Sequence, residues 1–475
     1  MLFNSVQFII FFIAVVTAFY LTPFKWRWLL LLAASCYFYM AYIPVYILIL
    51  AFTITIDYFV GIYLERTTGR AKKLLLVISI LSNIGILGFY KYYNFVAGNI
   101  SVLLNHVGYH GSIPLSHFIL PIGLSFHTFQ ALSYIIEVYR GTQKAERHFG
   151  IYALYVMFFP QMVAGPIERP QNIIYQFYEK QTLNVDNISS GLKLMLRGFF
   201  KKLVVADRIA IYVNAVYKAP LHHDGKTVLV ATFLFAFQIY CDFSGYSDIA
   251  LGAARVLGFK LLTNFNQPYL ARNVSEFWKR WHISLTTWFR DYLYIPMGGN
   301  RVTLPMAYFN LLVVFVISGL WHGASWNFVI WGALNGFYLI FLRLTRKFWP
   351  VFFRVTYLDK IPVLKIMLQV MVTTLFITIS WVFFRANNFT ESVIVLKKIF
   401  SFSGTVWRGE YTLFYCIIGI LILLAYEVKT EYFNKRFTVF NSSNSFIRNF
   451  SYGLLVIAII MLGVFDGGQF IYFQF

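Results

Sequence analysis

Residues 304–342 read LPMAYFNLLVVFVISGLWHGASWNFVIWGALNGFYLIFL. Two apolar runs flank a short polar centre, Trp321-His322-Gly323-Ala324-Ser325-Trp326-Asn327. Each run approaches the roughly 20 residues that a helix needs to cross a hydrocarbon layer. Gly323 can end one helix and Ser325 can cap the next, so the stretch reads as a helical hairpin. His322 is the costly residue, because a titratable side chain at depth in a membrane needs a reason to be there. A neutral imidazole is suited to taking a proton from a hydroxyl. The alternative is a structural histidine satisfied by a backbone carbonyl in the helix turn. The N-terminus of the second helix, at Trp326-Asn327, favours negative charge developing nearby.

The rest of the chain has the same character. Of 475 residues, 59% are hydrophobic and 20% aromatic, and only 12% are charged. A soluble domain carries about 25% charged residues. Apolar runs of spanning length recur throughout and do not alternate as barrel strands would. The expectation is an all-α polytopic membrane protein of about 12 crossings, forming one membrane domain over residues 1–475. The apolar run Val6–Tyr20 has no Lys or Arg before it, whereas Lys25 and Arg27 follow it. It is expected to be an uncleaved first span with its start outside.

Lys and Arg total 40 against 19 Asp and Glu, a formal net charge of +21. The basic residues cluster in short loops between apolar runs, the positive-inside pattern, which argues against nucleic acid as a partner. That rule places Arg301 and Arg343 in the cytoplasm. The turn holding His322 is then expected toward the extracytoplasmic side, or in a cavity reached from there. Cys36, Cys241 and Cys416 lie in apolar surroundings with no metal or disulfide spacing.

Other stretches carry candidate chemistry. In Ile151–Tyr178, three prolines and a glycine follow an apolar run, which suggests a re-entrant element. Between Lys260 and Arg301 the chain is polar and aromatic. Phe277, Trp281, Leu285, Trp288 and Tyr292 recur there at helical spacing, as in an interfacial helix. His282 in that helix is either a second catalytic group or a packing histidine. Asp242 and Asp248 lie six residues apart in an apolar run, so they face different ways and are expected to pair with Lys or Arg elsewhere. His127 is expected to be a hydrogen-bonded core residue, and Arg385 to end a span. Neither histidine candidate has Cys, Asp or Glu at ligand spacing, so no metal is expected. No serine nucleophile elbow, phosphate loop or dinucleotide fingerprint is present.

Seven stretches together resemble the membrane-bound O-acyltransferase (MBOAT) family. They are Pro121–Gln130 (PIGLSFHTFQ), Phe159–Ile167 (FPQMVAGPI), Asp242–Asp248 (DFSGYSD), Asn273–Leu285 (NVSEFWKRWHISL), Tyr294–Arg301 (YIPMGGNR), Trp321–Asn327 and the ending Phe470–Phe475 (FIYFQF). The similarity covers nearly the whole chain. It is nearest to the bacterial alginate O-acetylation branch and extends to the D-alanine transfer protein of teichoic acid modification. The resemblance implies about 11–13 transmembrane or re-entrant helices around a thinned central cavity. It implies that His322 is the essential histidine and His282 the second polar residue of the site, with Trp321, Asn327 and Asp242 in support. It further implies a multi-pass protein of the bacterial inner membrane with no bound cofactor. The acyl donor would be a cytoplasmic thioester, acetyl-CoA or an acyl carrier protein. The acceptor would be an extracytoplasmic polysaccharide, reached through a separate periplasmic or membrane-anchored acetyltransferase. D-alanyl transfer to teichoic acid, and a non-enzymatic transporter or flippase, are the rival readings.

Overall fold

The computed structural model describes residues 1–475 except 110, 112, 164, 410, 434–439, 441, 466–470 and 472–475. Ala164 of the second motif and most of the Phe470–Phe475 ending therefore lie outside the described residues. Among those described there are helices and no strands. Eight helices are long and apolar enough to cross a bilayer. They are α1 (Pro44–Arg66), α2 (Gly69–His106), α3 (Gly225–Val256), α4 (Leu304–His322), α5 (Trp326–Leu344), α6 (Pro362–Arg385), α7 (Thr412–Tyr432) and α8 (Ser445–Leu462). Other apolar runs form shorter helices, such as Val6–Leu21, Phe24–Met40 and Leu124–Arg140.

The chain divides into two compact units, residues 1–195 with 247–262 and residues 196–246 with 263–475. In the first unit, Asp57 of α1 accepts hydrogen bonds from Ser79 Oγ at 2.5 Å and Asn83 Nδ2 at 2.8 Å on α2. This satisfies a buried carboxyl group inside an apolar helix pair. The run Ile151–Tyr178 breaks as its prolines require, into helices Phe149–Met157, Phe159–Met162 and Pro170–Phe177. All three are largely buried. They anchor the first two family motifs to each other. Gln130 Nε2 donates to the Tyr155 carbonyl at 2.6 Å, and His127 Nδ1 lies 3.1 Å from the Val156 carbonyl, as expected of a core histidine. Gly123 has φ +75°, and a Cβ there would stand 2.7 Å from the Met162 carbonyl oxygen, so both conformation and space call for glycine.

The second unit is built around the α4–α5 hairpin with α6 against it. The two hairpin helices approach at their backbones. A Cβ on Gly319 would lie 2.1 Å from the Phe328 carbonyl oxygen, and one on Gly332 would lie 2.3 Å from that of Phe315. Small residues permit this contact in membranes, where packing replaces the hydrophobic drive between helices. The hairpin's open ends meet as well, with Arg343 Nη2 donating to Asn300 Oδ1 at 3.1 Å. Elsewhere in this unit, Lys202 is buried between Asp207 (2.8 Å) and Asp242 (2.5 Å). The expected pairing of Asp242 with a base is thus met. Arg385 closes α6 and reaches Asn214 Oδ1 at 2.8 Å.

Candidate active site

His322 is the last residue of α4, and Ser325 is the N-cap of α5. The break falls where the sequence places it, but for different local reasons. Gly323 is extended (φ −162°) rather than left-handed, and a Cβ there would meet the Phe328 ring at 2.0 Å. Ser325 occupies the cap position without a side-chain capping bond. Asn327 Nδ2 instead donates to the Ala386 carbonyl at 2.8 Å, tying the start of α5 to the end of α6.

The His322 ring sits in an aromatic box. Ring centroids stand 4.9 Å away for Trp321, 5.0 Å for Trp331 and 5.4 Å for Phe384. Trp331 stacks on Trp381 at 5.7 Å. Trp381 Nε1 in turn donates to Tyr269 Oη at 3.0 Å, which donates to the Ala236 carbonyl at 2.8 Å. Edge-to-face and stacked contacts of this kind add about 0.5–1.5 kcal/mol each beyond area burial and fix ring orientation. Trp331, Trp381 and Phe384 were not singled out around His322 by the sequence, where only the neighbouring Arg385 was read, as the end of a span.

His282 corrects the expectation of one interfacial helix. The chain forms two short helices, Val274–Arg280 and Ile283–Phe289, and His282 between them is left-handed at φ +42°. Phe277, Trp281, Leu285 and Trp288 are buried rather than lying at a surface. The break is held by the segment beginning at Asn264. Ile283 N donates to the Asn264 carbonyl at 2.9 Å, and Asn266 N donates to that of Arg280 at 2.9 Å. Asn264 Oδ1 accepts from Ser284 N at 3.2 Å and Ser284 Oγ at 2.9 Å. A backbone N–H can only donate, so this atom is an acceptor. His282 Nδ1, 3.1 Å from the same oxygen, therefore carries the proton and leaves Nε2 as the basic nitrogen. Burial pushes the His282 pKa down to about 3, so the ring is neutral.

The two histidines line one cavity of about 450 Å³. Leu311, Phe315, Ser318 and His322 form one wall, at i, i+4, i+7 and i+11 along α4. That face extends about 16 Å at 1.5 Å per residue, toward the start of α4, which follows Arg301 in the chain. The opposite wall includes Trp278 and Thr286 and reaches the exposed basic side chains of Lys279 and Arg290. The Trp278 indole N–H has no hydrogen-bond partner among the described residues. Trp321, Asn327 and Asp242 do not line this space. Trp321 packs between the rings of His322 and His282, 6.2 Å from the latter. Asn327 braces the turn, and Asp242 belongs to the Lys202 ion cluster while accepting from Ile471 N at 2.7 Å.

Comparison with known proteins gives the family. The sequence profile of the membrane-bound O-acyltransferase family matches residues 148–384. A probable alginate O-acetylase of Azotobacter vinelandii is 35% identical over 416 residues, covering 87% of this chain and 79% of that protein. The chain belongs to the membrane-bound O-acyltransferase family. A peptidoglycan O-acetyltransferase of Helicobacter pylori is 36% identical over 408 residues, covering 79% of this chain and 74% of its own. A teichoic acid D-alanyltransferase of Streptococcus thermophilus is 30% identical over 235 residues, only 46% of this chain and 56% of that one. The protein is a multi-pass membrane O-acyltransferase, which sets aside the transporter reading.

Proposed function

We propose that this enzyme moves an acetyl group from a cytoplasmic thioester, acetyl-CoA or an acyl carrier protein, to a hydroxyl of an extracytoplasmic polysaccharide, directly or through a partner protein. Acetyl rather than D-alanyl transfer is favoured because the acetyl-transferring relatives match over 87% and 79% of this chain, against 46% for the D-alanyltransferase. The observation that carries the reading is the cavity joining exposed Lys279 and Arg290 to buried His282 and His322. Its basic end suits the phosphate-bearing portion of a thioester donor, and its inner end suits the reacting carbonyl. The positive-inside rule puts that basic end in the cytoplasm, which supports donor entry from there. The acceptor then approaches His322 from the opposite side.

In this scheme the acceptor oxygen attacks the thioester carbonyl while His322 takes its proton. The carbon–sulfur bond breaks and the sulfur leaves as a thiol after recovering a proton. Neutral His282, with Nε2 basic, hydrogen-bonds the donor or relays the proton. The start of α5 beside His322 favours charge developing on the carbonyl oxygen. General-base assistance of this kind is worth about 10²–10⁴-fold. The test uses proteoliposomes with labelled acetyl donor and polysaccharide acceptor. His322→Ala is expected to lose transfer while inserting and eluting as the wild type does. Retained transfer in that variant would overturn the assignment.

A further inference from the structure

A second cavity, about 900 Å³, lies among the Arg272–Ser275 turn, the later half of α5, the Phe348–Val355 helix and the early half of α6. Neither histidine lines it, although it shares Ser275, Leu311 and Leu339 with the histidine-lined cavity. Its walls divide by chemistry. Leu339, Leu342, Phe353, Leu368 and Phe376 form an apolar part, while Arg272, Arg343, Arg346, Arg354 and Lys365 supply cations with Asp359 as the one lining carboxylate. Lys365 pairs with Asp359, and Arg343 reaches Asn300. Among the described residues, no carboxylate forms an ion pair with Arg272, Arg346 or Arg354.

The segment between α5 and α6 shows where this cavity opens. In the Phe348–Val355 helix only Phe353 is buried, while Phe348, Val351 and Val355 are more than half exposed. Arg346, Lys347 and Arg354 are exposed beside them. Exposed apolar side chains flanked by bases describe a helix lying in the headgroup layer. A pocket at that depth, with an apolar interior and unneutralised arginines at its edge, fits an amphiphile with one negative headgroup.

The geometry points to a binding site for an anionic phospholipid. Its phosphodiester would meet Arg272, Arg346 and Arg354, and an acyl chain would lie against Leu368 and Phe376. Basic pockets between membrane helices take such headgroups, and the volume falls within the ordinary range for ligand sites. The lipid would brace the α5–α6 connection and lie against Leu339 of α5, which also walls the histidine-lined cavity.

The test is retention of lipid by the purified full-length protein, read by native mass spectrometry after incubation with phosphatidylglycerol or phosphatidylcholine of identical chains. Wild type is expected to retain phosphatidylglycerol preferentially and to melt at higher temperature with it. The double variant Arg346→Ala/Arg354→Ala is expected to weaken this binding about 10- to 30-fold, from the loss of two interfacial charges. Arg346→Lys/Arg354→Lys should keep most of it and guards against a merely misfolded variant. Equal retention of the two lipids would overturn the proposal, as would unchanged retention by the alanine variant. Displacement of bound phosphatidylglycerol by coenzyme A would assign the pocket to the acyl donor instead and overturn it as well.

Discussion

Gly319 sits one turn before His322, and its substitution by alanine tests whether the hairpin's close approach positions the site. The added Cβ would stand 2.1 Å from the Phe328 carbonyl oxygen, whereas real Cβ atoms essentially never come within 3.0 Å of a neighbour. The obstacle is backbone and cannot rotate aside. The helices must therefore part by about 0.9 Å, the difference between those distances. Overpacking of this kind costs about 1–3 kcal/mol. A shift near 1 Å at a catalytic group costs about 10²-fold in rate. Gly319→Ala is thus expected to lower kcat/KM for acetyl transfer about 100-fold, equivalent to about 2.7 kcal/mol of transition-state stabilisation, with a modest drop in Tm. Initial rates in proteoliposomes and melting in detergent read the two effects. Gly85→Ala in α2, where a Cβ would meet nothing within 4 Å, should leave both unchanged. Wild-type rate and Tm in Gly319→Ala would refute the reasoning, because the hairpin would then absorb the shift without moving His322.

Three further outcomes follow from the geometry. Asn264→Leu removes the acceptor that sets the His282 tautomer and should lower kcat at least about 10-fold with little change in donor KM; unchanged kcat would leave His282 without a part in the reaction. Lys202→Met strands two buried carboxylates and should cost about 3–5 kcal/mol of stability, partly restored by adding Asp207→Asn and Asp242→Asn, as followed by Tm. Glu168 is raised by burial from 4.5 to about 7, so the native state holds its proton more tightly than the unfolded chain. Stability is therefore lost as pH rises from about 4.5 to 7, and Glu168→Gln should flatten that part of the Tm–pH curve. Parallel curves for the two proteins would contradict it.

Hydrophobicity and charge made the α4–α5 hairpin legible in the sequence to within a residue or two, including the break after His322. Polarity at a point of high apolar density is a strong local signal. The same signal does not separate a span from a shorter buried helix; in Ile151–Tyr178 it was the prolines and glycine that pointed to a re-entrant element, and the run folds into three short buried helices. Around His282 the spacing of Phe277, Trp281 and Leu285 continued a helical period through a break. No pattern along the chain announces a left-handed histidine. Its anchor, Asn264, lies 18 residues away in a loop, and Trp331 and Phe384 reach His322 from two other helices. Contacts of this kind arise only when the helices pack. Asn327 was expected in support of the site, and its amide is occupied at the Ala386 carbonyl. The residue type was visible, whereas the direction in which it points was not.

The left-handed backbone at His282 narrows which residues that position can carry through evolution or engineering. Few side chains other than glycine tolerate positive φ, and Asn and Asp lead them, while β-branched and bulky residues are strained. Position 282 is filtered twice, once by the bend that turns the chain between two short helices and once by the proton it must present to Asn264 Oδ1. Asparagine passes both filters, because its amide can donate where the imidazole does. Glutamine, although closer in length to histidine, meets the backbone strain first. A library at this site scored for folding alone would therefore return a short list, and the members able to donate a hydrogen bond would be the ones worth assaying.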